Sequence, residues 1–174
     1  MFLRDKNDSS LINLPAKLIL ILAGIVVGFL FCRIFITPYK VADSSMEPHL
    51  EKGSRVLILK VGKIRPGDIV LAENPLDRDT VIMKRVVATD GNVVELRNKI
   101  LYIDNQRASF DWMIKPTDPR VFPLHFSSRD TMTPVKLSRD QYFLMGDNSD
   151  RSNDSRELGP FPKKDIIGKI IYIF

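Results

Sequence analysis

Between Leu18 and Cys32 the chain carries fifteen consecutive uncharged residues, nearly all aliphatic or aromatic. A helix of that length rises only ~22 Å at about 1.5 Å per residue, against a hydrocarbon core of roughly 30 Å. Crossing it requires Lys17 and Arg33 to extend their stems toward the two interfaces, which lengthens the span to about Pro15–Ile36 before Thr37-Pro38 ends the pattern. The run has no polar stripe of the kind a soluble surface helix shows. A removable targeting segment would begin in a similar way. Downstream, however, Tyr39-Lys40-Val41-Ala42 puts Lys40 two places before Ala42, which is not the small-x-small pattern that removal requires. The expectation is a tail at 1–14, a retained anchor at 15–37 and a domain at 38–174. Charge does not orient the anchor, because Arg4, Lys6 and Lys17 are balanced by Arg33, Lys40 and Lys52.

The remainder of the 174 residues suffices for one compact domain. Its stability must come from a packed core, since the single cysteine, Cys32, lies in the apolar run and no intrachain disulfide can form. The 26 Lys+Arg exceed the 21 Asp+Glu, but no basic block or aromatic-basic alternation accompanies the excess. A nucleic-acid partner is therefore not expected, and the basic balance serves solubility or attraction to anionic lipid.

From Val41 onward the text is strand-like. Short β-branched runs recur at Arg55–Leu59, Ile69–Leu71, Val81–Val87, Val93-Val94 and Ile166–Phe174, with no amphipathic helical pattern of comparable strength. Arg65-Pro66-Gly67-Asp68 reads as a turn, and Asp90-Gly91-Asn92 as a hairpin between two valine pairs. Between about Arg97 and Lys136 the sequence becomes richer in Pro, Asp and aromatics (Phe110, Trp112, Phe122, Phe126) and loses alternation. We read a mainly β domain with a small inserted lobe at 97–136, whose aromatics either form a local core or touch lipid.

Three segments have the residues for chemistry. Asp43-Ser44-Ser45-Met46-Glu47-Pro48 offers two serines beside a turn-prone proline, a combination that usually only satisfies backbone groups. In Val81–Val87, strand alternation places Ile82, Lys84 and Val86 on one face. Lys84 is either snorkelling from a strand end or desolvated among apolar neighbours. Desolvation would lower its pKa from ~10.4 and make the amine a usable base. The polar stretch Gly146–Arg156 is either a solvated loop or a network that orients an amine through hydroxyls and Asp-Arg pairs. His49 and His125 do not fall with a serine and an acid, and no Cys/His cluster suits zinc, so a Ser-His-Asp triad or a metal hydrolase has little support.

Taken together, these segments resemble the bacterial type I signal peptidases. The resemblance rests on Ser45-Met46-x-Pro48, Gly67-Asp68-Ile69-Val70, Lys84-Arg85-Val86-Val87, and Gly146-Asp147-Asn148 with Ser152-x-Asp154-Ser155-Arg156, in that order along the domain. It implies a signal-peptidase-like β catalytic core behind one transmembrane helix. It further implies a serine endopeptidase with Ser45 as nucleophile, Lys84 as base, Ser152 holding the Lys84 amine, and Asp154 bracing the site through Arg85 or Arg156. No metal or organic cofactor is implied. The partners would be exported preproteins and membrane lipid, for a monomer with a cytoplasmic N-terminus and its catalytic domain on the extracytoplasmic face of the plasma membrane.

Two positions depart from the family pattern. Asp43 stands two places before the nucleophile, where relatives carry Ser or Gly, and a carboxylate there would repel a developing oxyanion. We therefore expect Asp43 to point away and the Ser45 backbone N–H to supply much of the oxyanion stabilisation. The other is His49, which stands where Thr is usual and is assigned no role. Two alternatives compete: a self-cleaving repressor of the Ser-Lys type, which would need a DNA-binding domain where this chain has an anchor, and a membrane-anchored binding protein that has lost catalysis.

Overall fold

The computed structural model describes residues 8–112 and 116–174. The first seven residues of the expected tail, and positions 113–115 of the expected lobe, lie outside the described residues. The chain divides into two units, 1–36 and 37–174.

The first unit is built on helix α1, Asp8–Phe35. Its 22 residues from Leu14 to Phe35 are long and apolar enough to cross a membrane, reaching ~33 Å at about 1.5 Å per residue. Leu18, Ile21, Ile25 and Phe29 are all exposed along it. A helix apolar on every side that exposes side chains such as these is suited to a hydrocarbon environment.

The second unit is mainly β. Its strands are β1 (Ile36–Lys40, which opens at the unit boundary), β2 (Arg55–Leu59), β3 (Ile69–Asn74), β4 (Asp77–Thr89), β5 (Val93–Arg97), β6 (Ile100–Ile103), β7 (Gln106–Arg107), β8 (Met132–Lys136), β9 (Gln141–Met145), β10 (Phe161–Pro162) and β11 (Ile166–Ile173), with a short α-helix, α2 (Ser155–Leu158), and 3-10 turns at Ser149–Arg151 and Lys163–Asp165. They form a seven-stranded sheet in the order β1-β2-β11-β3-β4-β9-β10 and a four-stranded sheet in the order β7-β6-β5-β8. The β-branched runs became strands because alternation gives each a core face. In β2, Val56 and Ile58 are buried with Met46, Leu50 and Met83.

Strand β4 links the two sheets and carries the site. Met83 packs with the β2 side chains, whereas Val86 joins a separate cluster with Val70, Leu144 and Phe161. Its register against β9 then slips between Val86 and Ala88, a bulge that turns both Val87 and Ala88 into the core shared with Val94, Leu96, Leu101 and Phe143. The turn at Arg65–Asp68 forms as expected: Asp68 N–H donates to the Arg65 carbonyl, and Gly67 takes φ +95°, which a side chain would oppose.

Asp90-Gly91-Asn92 does turn the chain but does not make a hairpin. β4 pairs with β3 and β9, whereas β5 pairs with β6 and β8. Gly91 N–H donates to the Leu137 carbonyl and Leu137 N–H to the Asn92 carbonyl, so the turn is a corner between sheets. For the same reason the small sheet begins at Val93, ahead of the Arg97 boundary expected from composition.

Candidate active site

Ser45 sits in a tight turn held from below. Met46 and Leu50 are fully buried, Leu50 N–H donates to the Met46 carbonyl, and Glu47 N–H to the Ser44 carbonyl. Burying the Met46 side chain next to Ser45 stabilises the turn by about 1.5–3 kcal/mol, as for one large apolar residue. Asn148 holds the other side: its backbone N–H donates to the Ser45 carbonyl at 2.9 Å and its side-chain amide to the Ser44 carbonyl at 3.4 Å.

Lys84 projects from the centre of β4, where its register partner is Val70 of β3. It is 2% exposed, so of the two readings open to this lysine the structure has the desolvated one. Its Nζ donates to Ser45 Oγ. Burial pushes the Lys84 ammonium below its ordinary pKa; the Asp43, Asp154 and Asp147 carboxylates oppose that shift, and Arg156 adds to it. The neighbouring Ser44 has no such contact with Lys84.

Behind this pair lies a network of buried charges. Asp154 is fully buried and receives a two-pronged bond from Arg156, Nε to Oδ1 and Nη2 to Oδ2, both at 2.9 Å. It also accepts Gly146 N–H at 3.0 Å. Burial would raise the Asp154 carboxyl, but the Arg156 charge and these hydrogen bonds prevail and hold it below the usual range. Of the two arginines expected to brace Asp154, the structure uses Arg156 alone. Arg85 points to the opposite face of β4, where Asp147 takes its Nε at 2.8 Å and its Nη2 at 2.5 Å.

Three expectations are corrected in detail. Asp43 does not point away: its Oδ1 accepts the Ser45 backbone N–H at 2.8 Å, so that the expected oxyanion donor is already occupied. The physical reason is local, since an aspartate readily caps the N–H two residues on, and the Lys84 amine attracts it further. Ser152 does not hold the Lys84 amine in this state. Its Oγ is buried and, among the described residues, forms no well-shaped hydrogen bond, although it lies close enough to Asp154 to help hold that carboxyl low. His49, assigned no role, places Nδ1 3.0 Å from Asp147 Oδ2 and so ties the Ser45 turn to the Gly146-Asp147-Asn148 segment.

Asp147, Asn148 and Ser155, whose Oγ accepts Leu144 N–H at 2.9 Å, are supporting residues to which the sequence reading gave no role. A buried arginine needs a carboxylate, so Arg85 beside a desolvated Lys84 implies an acidic partner on the opposite strand face, without saying which. Among the described residues no three His, Cys, Asp or Glu side chains come together as metal ligands would. The arrangement has the parts for acyl transfer: a hydroxyl, a desolvated amine in contact with it, and a backbone N–H beside it.

Comparison with known proteins gives a family for the chain. The profile of the family described as signal peptidase, peptidase S26, matches residues 14–174. A protein named signal peptidase I P from Bacillus subtilis subsp. natto is 32% identical over 97% of this chain and 91% of its own length. A signal peptidase I from Bacillus licheniformis is 30% identical over 88% of this chain and 84% of its own. Among solved structures, a signal peptidase I from Enterococcus faecalis superposes with a TM-score of 0.51 at 24% identity, covering 64% of this chain and 99% of that one, a likeness of fold.

Proposed function

The chain belongs to the S26 family of signal peptidases, peptidases that remove signal peptides, and from that membership we propose that it cleaves exported preproteins with Ser45 as nucleophile and Lys84 as general base. The observation that carries this reading is the buried contact between Lys84 Nζ and Ser45 Oγ. A lysine that keeps its ordinary pKa of ~10.4 is only about 0.04% neutral at pH 7. Burial of Lys84 raises that fraction where the amine already touches the hydroxyl it must deprotonate.

The buried contact supports the following steps. Neutral Lys84 takes the Ser45 hydroxyl proton as Oγ bonds to the scissile carbonyl carbon. The tetrahedral intermediate collapses, the C–N bond breaks, and the Lys84 ammonium returns the proton to the leaving amine. Water, deprotonated by the same amine, then releases the acyl group from Ser45. Ser152 steadies the amine once Lys84 has left Ser45 Oγ, and Asp154 with Arg156 keeps that loop in place.

The same proposal reads 1–14 as a cytoplasmic tail, 15–37 as a single membrane anchor and 38–174 as an extracytoplasmic catalytic domain. α1 supports the anchor through its length and its exposed apolar side chains. Anchoring confines enzyme and membrane-inserted preprotein to one surface and raises their effective concentration. Trapping tests the chemistry directly: mass spectrometry after brief exposure to an acylating substrate should find the added mass on the peptide containing Ser45, and an adduct located elsewhere would refute the assignment.

A further inference from the structure

Asp43 is held against the nucleophile yet exposed to solvent. The chain caps backbone N–H groups with carboxylates in other exposed turns, at Asp77 for Asp79 and Asp118 for Arg120. What distinguishes Asp43 is the group it caps. The Ser45 N–H is the donor that must face the oxyanion during acylation, and a carboxylate oxygen 2.8 Å from it occupies the place where that oxyanion will form. The capping anion also faces the amine that bonds Ser45 Oγ, so the resting site already has the charge pattern of the tetrahedral intermediate, a negative oxygen on the N–H and a positive amine beside it.

From this geometry, and resting on the Ser45-Lys84 reading, we infer that Asp43 is a specificity-determining residue: its carboxylate fills the oxyanion position until a long extended peptide displaces it, so that small acyl donors are excluded. A signal peptide has many contacts outside the scissile bond with which to offset the lost hydrogen bond and charge pair; a small ester has almost none. Because Asp43 is exposed rather than packed, it can swing into water without disturbing the core.

Acidity does not open this plug near neutral pH. Burial would raise the Asp43 carboxyl, but its hydrogen bonds from Ser45 and the charges of Lys84 and Lys52 hold it below the ordinary value, so it stays ionised wherever Lys84 titrates. Lys84 in turn faces Asp43, Asp154 and Asp147, which favour its charged form, and Arg156, which opposes it. Displacing Asp43 removes the carboxylate that most favours the ammonium and thus yields the neutral base. One movement therefore frees the donor and activates the amine.

The experiment compares wild type, Asp43→Ser, Asp43→Asn and Ser45→Ala as full chains in detergent micelles. Each is assayed with p-nitrophenyl acetate, with Ser45→Ala as background, and with a synthetic peptide carrying an apolar segment followed by Ala-x-Ala. Both Asp43 variants should acylate from the acetate at least about tenfold faster than wild type, gain by a smaller factor on the long peptide, and reach their full rate at a lower pH than wild type does. If wild type cuts the peptide through Ser45 but neither variant speeds the acetate reaction or moves the pH profile, the inference is wrong while the dyad stands. If no protein of the set shows Ser45-dependent chemistry on either substrate, the dyad reading falls and this inference with it.

Discussion

A side-chain carbon placed on Gly146 would stand 2.5 Å from Ser152 Cβ and 2.6 Å from the Ser45 carbonyl oxygen, closer than such atoms approach. Gly146 therefore sets the spacing between the Ser45 turn and the polar loop. Gly146→Ala should push one of them by about 1 Å and lower kcat/KM by about 100-fold, with a stability loss of about 1–3 kcal/mol from overpacking. Steady-state kinetics and thermal melting check both. Full activity in the alanine variant would mean that the two segments are not held against each other.

Ser152→Ala should separate stability from activity. Because the buried Ser152 Oγ lacks a well-formed partner among the described residues, removing it relieves rather than creates an unsatisfied group, and the melting temperature should hold or rise slightly. If the hydroxyl steadies the Lys84 amine during turnover, kcat should nonetheless fall by about 100-fold, the size typical of a positioned catalytic group. Equal losses of stability and activity would instead mark Ser152 as a structural residue.

Arg85 and His49 bind the same carboxylate but should differ in consequence. Arg85 is buried, with two parallel bonds to Asp147, a third to the Gly67 carbonyl at 2.9 Å, and Trp112 beneath its guanidinium at 4.9 Å. Lysine cannot reproduce that fork, and Arg85→Lys should cost about 2–3 kcal/mol, as a disrupted charge-assisted bond does. His49 is 38% exposed, and His49→Thr should cost less than about 1 kcal/mol. Chemical denaturation of the two variants gives the comparison; a larger loss for His49→Thr would reverse the assignment of which bond holds Asp147.

The Asp154–Arg156 pair predicts an acid dependence. The Asp154 carboxyl lies below the usual range because the Arg156 charge and accepted hydrogen bonds outweigh its burial. Such a group contributes fully above its unfolded pKa of ~3.9 and loses that contribution as pH falls toward its folded value. Asp154→Asn should cost about 3–5 kcal/mol at pH 7 by leaving Arg156 without its buried partner, and should flatten the decline in stability below about pH 4. Unfolding curves from pH 7 to pH 2 test this; an unchanged acid slope would place the titration elsewhere.

The sequence was most legible where one residue's environment follows from its near neighbours. The apolar run announced α1 because nothing in it favours water, and the β-branched segments around Val56 and Val70 announced strands because their alternation needs a core face. Lys84 stood out because Ile82 and Val86 flank it on its own face. Less legible were features that depend on distant partners. That β5 leaves β4 for another sheet follows from Leu137 receiving the turn at Gly91 and Asn92, a contact no local pattern encodes. The choice of Arg156 over Arg85 for Asp154 follows from the two faces of β4 and from Asp147 being available on the far one. Asp43 is a different case: its cap on Ser45 N–H is a common local preference of aspartate, outweighed in the reading by the assumption that catalysis would keep that donor free.

The most direct test of the central claim is cleavage of a preprotein in lipid by wild type, Ser45→Ala, Ser44→Ala and Lys84→Ala. The buried contact of Lys84 with Ser45 predicts that Ser45→Ala and Lys84→Ala are inactive while Ser44→Ala still cuts. Cleavage that survives in Lys84→Ala, or wild type that is inert across several preproteins, would contradict it.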